Sequence, residues 1–266
     1  MNSFIPYMGG KAKLAPFIIS LFPKHRCYTE VFGGAAWILF KKKLSDCEVY
    51  NDINADLVNL FLQLKDNCAE LQKKAYWLPY SRKLFEMYSK SFQDEKISDL
   101  EKAVRFLYIN RTCFSGQYQA GFSAGPGSYP NWRTTFITKD LERVRERLDN
   151  VIIENLDFEE CIKKYDRETT LFYLDPPYFA ADATKYYKFV FTKGSHIRLQ
   201  QCLSDIKGKF ILSYENIPEV KELYKGFNII ETPKIAKVSS LKKEKDVVTE
   251  LCITNFELEN SQLGLF

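Results

Sequence analysis

Histidine is close to absent: His25 and His196 are the only two in 266 residues. A histidine-rich metal centre is thereby excluded, and a Ser-His-Asp triad has almost nothing to draw on. The seven cysteines, at 27, 47, 68, 113, 161, 202 and 252, are odd in number, widely spaced and never arranged as Cys-x-x-Cys. That spacing fits neither a disulfide framework nor a zinc site, so no metal is expected and a reducing compartment is. A basic-then-apolar leader and an apolar run of membrane-spanning length are both missing, which makes the cytoplasm the expected location, with no membrane partner. Strong net charge is lacking too: 38 basic against 34 acidic residues leave +4. A sum that small says little about partners, and the placement of charge matters more.

One absence is local. Between Lys102 and Lys139 no acidic residue occurs, while Lys102, Arg105, Arg111, Arg133 and Lys139 alternate with Phe106, Tyr108, Phe114, Tyr118, Phe122, Tyr129, Trp132 and Phe136. Basic side chains interleaved with rings suit a surface that follows a nucleic-acid backbone and stacks bases. Rings are abundant throughout, 21 Phe and 16 Tyr, and most of them are expected in the core.

What the chain does contain is a rhythm. Short β-branched or aromatic runs recur at 27–32, 48–50, 151–155, 171–174, 209–214, 228–232 and 249–256, seven strand candidates in all. Helix-length periodic segments at 35–44, 139–148 and 196–206 alternate with them, which predicts an α/β fold around a mainly parallel sheet. Residues 57–106 break the pattern, reading as several amphipathic helices without a strand, and a glycine-rich segment at 115–129 follows. The expected organisation is a core of 1–56 and 137–256, an insertion of 57–136 and a tail of 257–266.

Leu171 to Leu174 is a buried-strand pattern, and Asp175-Pro176-Pro177-Tyr178 follows at its carboxyl end, the edge where open α/β sheets bind ligands. The chemistry of an exocyclic amine accounts for these residue types. Its lone pair is delocalised into the ring, so attack on a methyl group requires acceptors aimed at the two N–H bonds. The Asp175 carboxylate can take one and the Pro176 carbonyl, held by the rigid Pro177, the other. Tyr178 offers a face on which an extruded base can stack. Nothing in this tetrapeptide chooses adenine over cytosine, or DNA over RNA.

Tyr7-Met8-Gly9-Gly10-Lys11 and Glu30-Val31-Phe32-Gly33-Gly34 each precede a helix-like run, where paired glycines permit a tight turn and close approach of a ligand. Gly10-Lys11-Ala12 is no P-loop, because the upstream glycine and the following Ser/Thr are missing. The next strand ends at Asn51-Asp52, about 20 residues on, where an acid can accept from both ribose hydroxyls of an adenosine-containing cofactor or cap the helix that follows. A third strand ends at Asp157-Phe158, a carboxylate and a ring suited to the cofactor's adenine.

Together these segments, in this order, resemble the Dam family of DNA adenine methyltransferases over nearly the full chain. Further matches are Leu107 to Arg111, Phe191-Thr192 with His196, and Val238-Ser239. The resemblance implies a Rossmann-like class I methyltransferase sheet of about seven strands, with a mainly helical DNA-recognition insertion. It also implies S-adenosylmethionine as cofactor and transfer to N6 of a flipped-out adenine in double-stranded DNA. By it, Tyr7, Lys11, Asp52 and Asp175 contact the cofactor, and Glu30, Phe32, Asp157 and Phe158 line the same site. Asn110 and Arg111 open the DNA-reading hairpin. Where well-known members carry an intercalating Tyr, an Asn, a Leu and a guanine-reading Arg, this chain has Phe114, Ser115, Gln117 and Gln119. Phe114 retains a wedge, but no arginine grips guanine, so the resemblance does not carry GATC over. The segment from Lys185 to Lys193 is basic and aromatic and suits either a cover over the flipped nucleotide or a solvated edge with hairpin aromatics. A cognate restriction enzyme and a monomer or weak dimer are compatible with all of this. An N4-cytosine or RNA N6-adenine methyltransferase and a catalytically silent DNA-binding protein are the alternatives.

Overall fold

The computed structural model describes residues 1–7, 9–91, 96–113, 121–123, 132–179, 191–233, 235–236 and 247–258. In chain order the elements are α1 (Ala15–Ser20), β1 (Cys27–Glu30), α2 (Trp37–Lys41), β2 (Cys47–Asn51), α3 (Ala55–Asp66), α4 (Cys68–Tyr76), α5 (Arg82–Ser91) and α6 (Asp99–Thr112). After one π-helical turn (Phe136–Asp140) come α7 (Leu141–Leu148), β3 (Val151–Glu154), α8 (Phe158–Tyr165), β4 (Thr170–Leu174), α9 (Lys193–Ser204), β5 (Lys209–Glu215) and α10 (Pro218–Leu223). The chain closes with β6 (Asn228–Glu231), β7 (Ile235–Ala236), β8 (Val247–Val248) and β9 (Glu250–Thr254).

Seven strands form one sheet in the order β3-β2-β1-β4-β5-β9-β6, and all seven coincide with the runs picked out by pattern. The pairs from β3 to β5 are parallel, whereas β9 runs antiparallel between β5 and β6. This is the expected Rossmann-like arrangement. Its order reverses between β1 and β4, so the chain leaves the sheet to either side there and opens a crevice at the carboxyl edge. The register sets Glu30 beside both Tyr50 and Tyr173, which brings the ends of β1, β2 and β4 to one line.

Every residue of β4 is buried. Because strand side chains alternate, Leu171 and Tyr173 join a core with α1, α2, α3, α6 and α7, while Phe172 and Leu174 face a second core under α8, α9 and α10. The period of 3.6 in α3 (Leu57, Val58, Leu60, Phe61, Leu64 buried) seats it on the sheet, with Phe61 stacked on Tyr50 at 4.1 Å. The helices α4 to α6 extend the same core outward.

Two local expectations change. The helix expected over 35–44 shrinks to five residues, since Ala35 and Ala36 complete the turn and Ala36 adopts a left-handed φ of 54°. Asp52 does not cap α3; Asn54 does, accepting from Asp56 N at 3.2 Å. Asp52 instead ties that cap to the preceding turn. Among the described residues no helix is long and apolar enough to cross a membrane.

Candidate active site

At the end of β4 the Asp175 carboxylate meets the Lys11 ammonium at 2.7 Å, although they are 164 positions apart in sequence. Lys11 is nearly inaccessible; its Nζ also donates to the Gly9 carbonyl (3.3 Å) and lies 4.9 Å from the centre of the Tyr178 ring. Burial raises the Asp175 carboxyl to about 6, against the pull of Lys11 and with the help of Glu250. The pair is therefore poised: Lys11 holds Oδ1 and keeps the group ionised near neutrality, and the Tyr178 hydroxyl also bears on the carboxylate.

Tyr178 is fixed by its two ends. Its hydroxyl donates to Glu250 Oε2 at 2.9 Å, and its ring stacks on Tyr214 at 5.7 Å. Beneath it the Tyr214 hydroxyl bonds His196 Nδ1, and the His196 ring stacks on Phe179 at 3.7 Å. Burial lowers His196 to about 4, so it stays neutral and serves as a packing surface for the residues that follow the proline pair.

The glycine turn after β1 forms the other wall. A side chain at Gly33 is impossible, since a Cβ there would fall 2.2 Å from Tyr50 Cε2. Gly34 has φ +48°, a conformation that costs an L-residue free energy, and Tyr7 packs against it. Its N–H donates to Asp52 Oδ2 (2.7 Å), while Asp52 Oδ1 accepts from Asn54 N (2.8 Å). Phe32, Phe158 and Phe191 form a triangle of rings, each 5.7 Å from the next.

Two of the expected cofactor residues have partners within the protein. Glu30 turns inward: its Oε2 accepts from Tyr28 Oη and Leu39 N, both at 2.8 Å, and burial raises it to about 8. It braces the first turn of α2. Asp157 caps α8 through Glu159 N (3.0 Å) and pairs with Arg198 at 2.6 Å.

The acid-free segment is less a surface than its composition suggests. Phe106, Tyr108, Trp132 and Phe136 are buried, because the helical period of α6 and the following turn sends them to the core. Asn110 is buried too. Arg111 reaches inward, its Nη1 donating to the Phe4 carbonyl at 2.6 Å and its guanidinium lying 3.6 Å from the Phe136 ring centre. Arg105 binds Glu101 and Ser91. Phe114, Ser115, Gln117 and Gln119 lie outside the described residues, as do Tyr118, Tyr129, 185–190 and Val238-Ser239.

Glu250 and Arg198 were not among the sequence candidates. Glu250 had one signal, a lone acid opening an otherwise apolar strand. Arg198 looked like any exposed cation on a helix.

A strand-end carboxylate preset by a lysine, beside a glycine turn in a Rossmann-like sheet, is the equipment of a methyltransferase acting on an exocyclic amine. The chain belongs to the D12 class N6 adenine-specific DNA methyltransferases, whose family model matches residues 7–238. The type II methyltransferase M1.LlaDCHI of Lactococcus lactis subsp. cremoris is 30% identical, covering 96% of this chain and 96% of its own length. The DNA adenine methylase of Haemophilus influenzae is 26% identical (95% and 93% covered), and the type II methyltransferase M.CviBI of Paramecium bursaria Chlorella virus NC1A 24% identical (85% and 88%). The protein is thus an enzyme that methylates DNA adenine at N6, which sets aside the cytosine, RNA and catalytically silent alternatives.

Proposed function

We propose that this chain methylates an adenine extruded from duplex DNA, with Asp175 Oδ2 and the Pro176 carbonyl accepting the two N6–H bonds and Tyr178 stacking on the base. The observation that carries these roles is the Lys11–Asp175 contact, which favours the accepting form of a partly shielded carboxylate at the sheet's switch point. With both N–H bonds engaged, the nitrogen lone pair is turned out of conjugation and toward the donor side. Asp175 is only one-fifth exposed, and partial shielding from water strengthens those bonds.

The donor side fits S-adenosylmethionine. Asp52 uses one lone pair of each oxygen on the backbone and retains others for a ribose diol. The three phenylalanines offer an apolar wall for a purine, and Tyr7 and Gly34 bring backbone close. When bound, the cofactor supplies an electrophilic methyl group that needs no acid to activate it. Asp175 then stands nearest the proton that N6 must lose.

We assign residues 57–136 to target recognition, with Phe114, Ser115, Gln117 and Gln119 as the base-reading positions. A type II relative makes a cognate restriction enzyme a compatible partner, and a monomer or weak dimer acting in the cytoplasm fits the reading. The test is Asp175→Ala with unmethylated plasmid DNA: N6-methyladenine in the nucleoside digest should vanish while DNA binding persists. Wild-type levels of the product in that variant would overturn the roles assigned here.

A further inference from the structure

Glu250 lies outside every motif considered above, yet it reaches the catalytic strand end. It opens β9, whose course between β5 and β6 carries its side chain to the edge where Asp175 stands. Its backbone is held on both sides by one residue, N–H donating to Thr232 Oγ1 (2.9 Å) and carbonyl accepting from Thr232 N (2.8 Å). From that rigid base Oε2 accepts the Tyr178 hydroxyl at 2.9 Å and stands 3.5 Å from Lys11 Nζ. The side chain is 13% exposed. A carboxylate so shielded needs partners to remain there, and both of these belong to the site described above.

The two contacts do different work. An aromatic ring can be gripped firmly only by its polar tip, so the hydroxyl bond, together with the Tyr214 stack, sets the plane of Tyr178. The second contact divides Lys11 between two carboxylates. An ammonium devoted to Asp175 alone would weaken it as an acceptor, and a shared one leaves it more basic. We infer that Glu250 is a positioning residue for methyl transfer, orienting Tyr178 for base stacking and sharing Lys11 so that Asp175 accepts strongly from the amine. This rests on the roles proposed for Asp175 and Tyr178.

The groups facing Asp175 are Lys11, Tyr178, Glu30 from β1, Tyr173 from β4, Tyr214 from β5, and Cys252 and Glu250 from β9. Glu30 is largely protonated at neutral pH, and burial raises the tyrosines and the thiol, so Lys11 and Glu250 are the charges that set its titration.

The experiment is a double-mutant cycle of Glu250→Ala and Tyr178→Phe on single-turnover methylation, with Glu250→Gln as the conservative variant. Melting temperature and S-adenosylmethionine affinity are measured alongside. Each single change should slow transfer about tenfold, and the double variant should lose little more than the worse single, because both remove one interaction. Glu250→Gln keeps an acceptor for Tyr178 and should recover part of the rate. It should also move the acidic limb of kcat/KM to lower pH by roughly half a unit to one unit, since a negative neighbour has gone. If the Ala variant does not fold, the limb of the Gln variant decides. Additive losses with an unmoved limb would sink the inference alone. Wild-type transfer by Asp175→Ala would take the parent reading down with it.

Discussion

Replacing Lys11 by Met removes the ammonium that sits 2.7 Å from Asp175 while keeping a long apolar stem in the same space. In the intact site Asp175 titrates at about 6, burial raising it and Lys11 restraining it. An opposite charge at contact distance lowers a carboxyl by about 1–3 units, so its loss should carry Asp175 to somewhere near 7–9. The ionised carboxylate accepts an amine N–H far more strongly than the neutral acid, so activity lies above the titration and falls as pH drops through it. At pH 7 a shift of about two units takes the ionised fraction from roughly nine-tenths to one-tenth, a tenfold loss from protonation alone. The assay is kcat/KM for S-adenosylmethionine from pH 5 to 9.5, which reports the enzyme before the cofactor binds. A lost cofactor contact would lower the whole curve; only a changed Asp175 moves its acidic limb. A limb remaining near pH 6 in Lys11→Met would refute the coupling.

Arg111→Ala should cost about 2–4 kcal/mol by chemical denaturation, from a charged hydrogen bond to Phe4 and a cation–ring contact with Phe136. The salt slope of DNA binding should barely change; a slope reduced by about one would make Arg111 a phosphate ligand instead. Glu30, raised to about 8 by burial, keeps a proton in the fold that the unfolded chain has already released above about pH 4.5. Its contribution is complete below that pH and should be lost on the order of 1.4 kcal/mol per unit as pH rises to about 8. Glu30→Gln should flatten that part of the melting profile. Ala36→Gly should gain about 0.5–1 kcal/mol, since relief of the left-handed strain exceeds the extra freedom of the unfolded chain. A lower melting temperature would show that Ala36 is not strained.

The parts of this molecule legible in its sequence are those whose physics is local. Alternating apolar residues mark a strand wherever it lies in the sheet, so all seven strands could be placed without knowing their order. Asp-Pro-Pro-Tyr carries its chemistry within four residues, and a glycine pair signals its turn in two. Residues 57–136 were legible only as a break in the rhythm. The basic and aromatic ones looked like a binding surface because composition does not record direction. The period of α6 turns Phe106 and Tyr108 inward, and Arg111 follows them to Phe4.

Charge balance is the property least visible along a chain, and it is what unites the site. Lys11, Asp175 and Glu250 come from the N-terminal segment, β4 and β9, and no spacing rule relates them. Two carboxylates beside a single ammonium leave the trio one negative charge in excess in a shielded place. On the roles proposed above, that excess favours a cationic methyl donor. An N-terminal lysine and a C-terminal glutamate thus have a common reason to reach β4: together they set how strongly Asp175 accepts. If so, Lys11→Met and Glu250→Gln should displace the acidic limb in opposite directions, which a merely structural role for either residue would not produce.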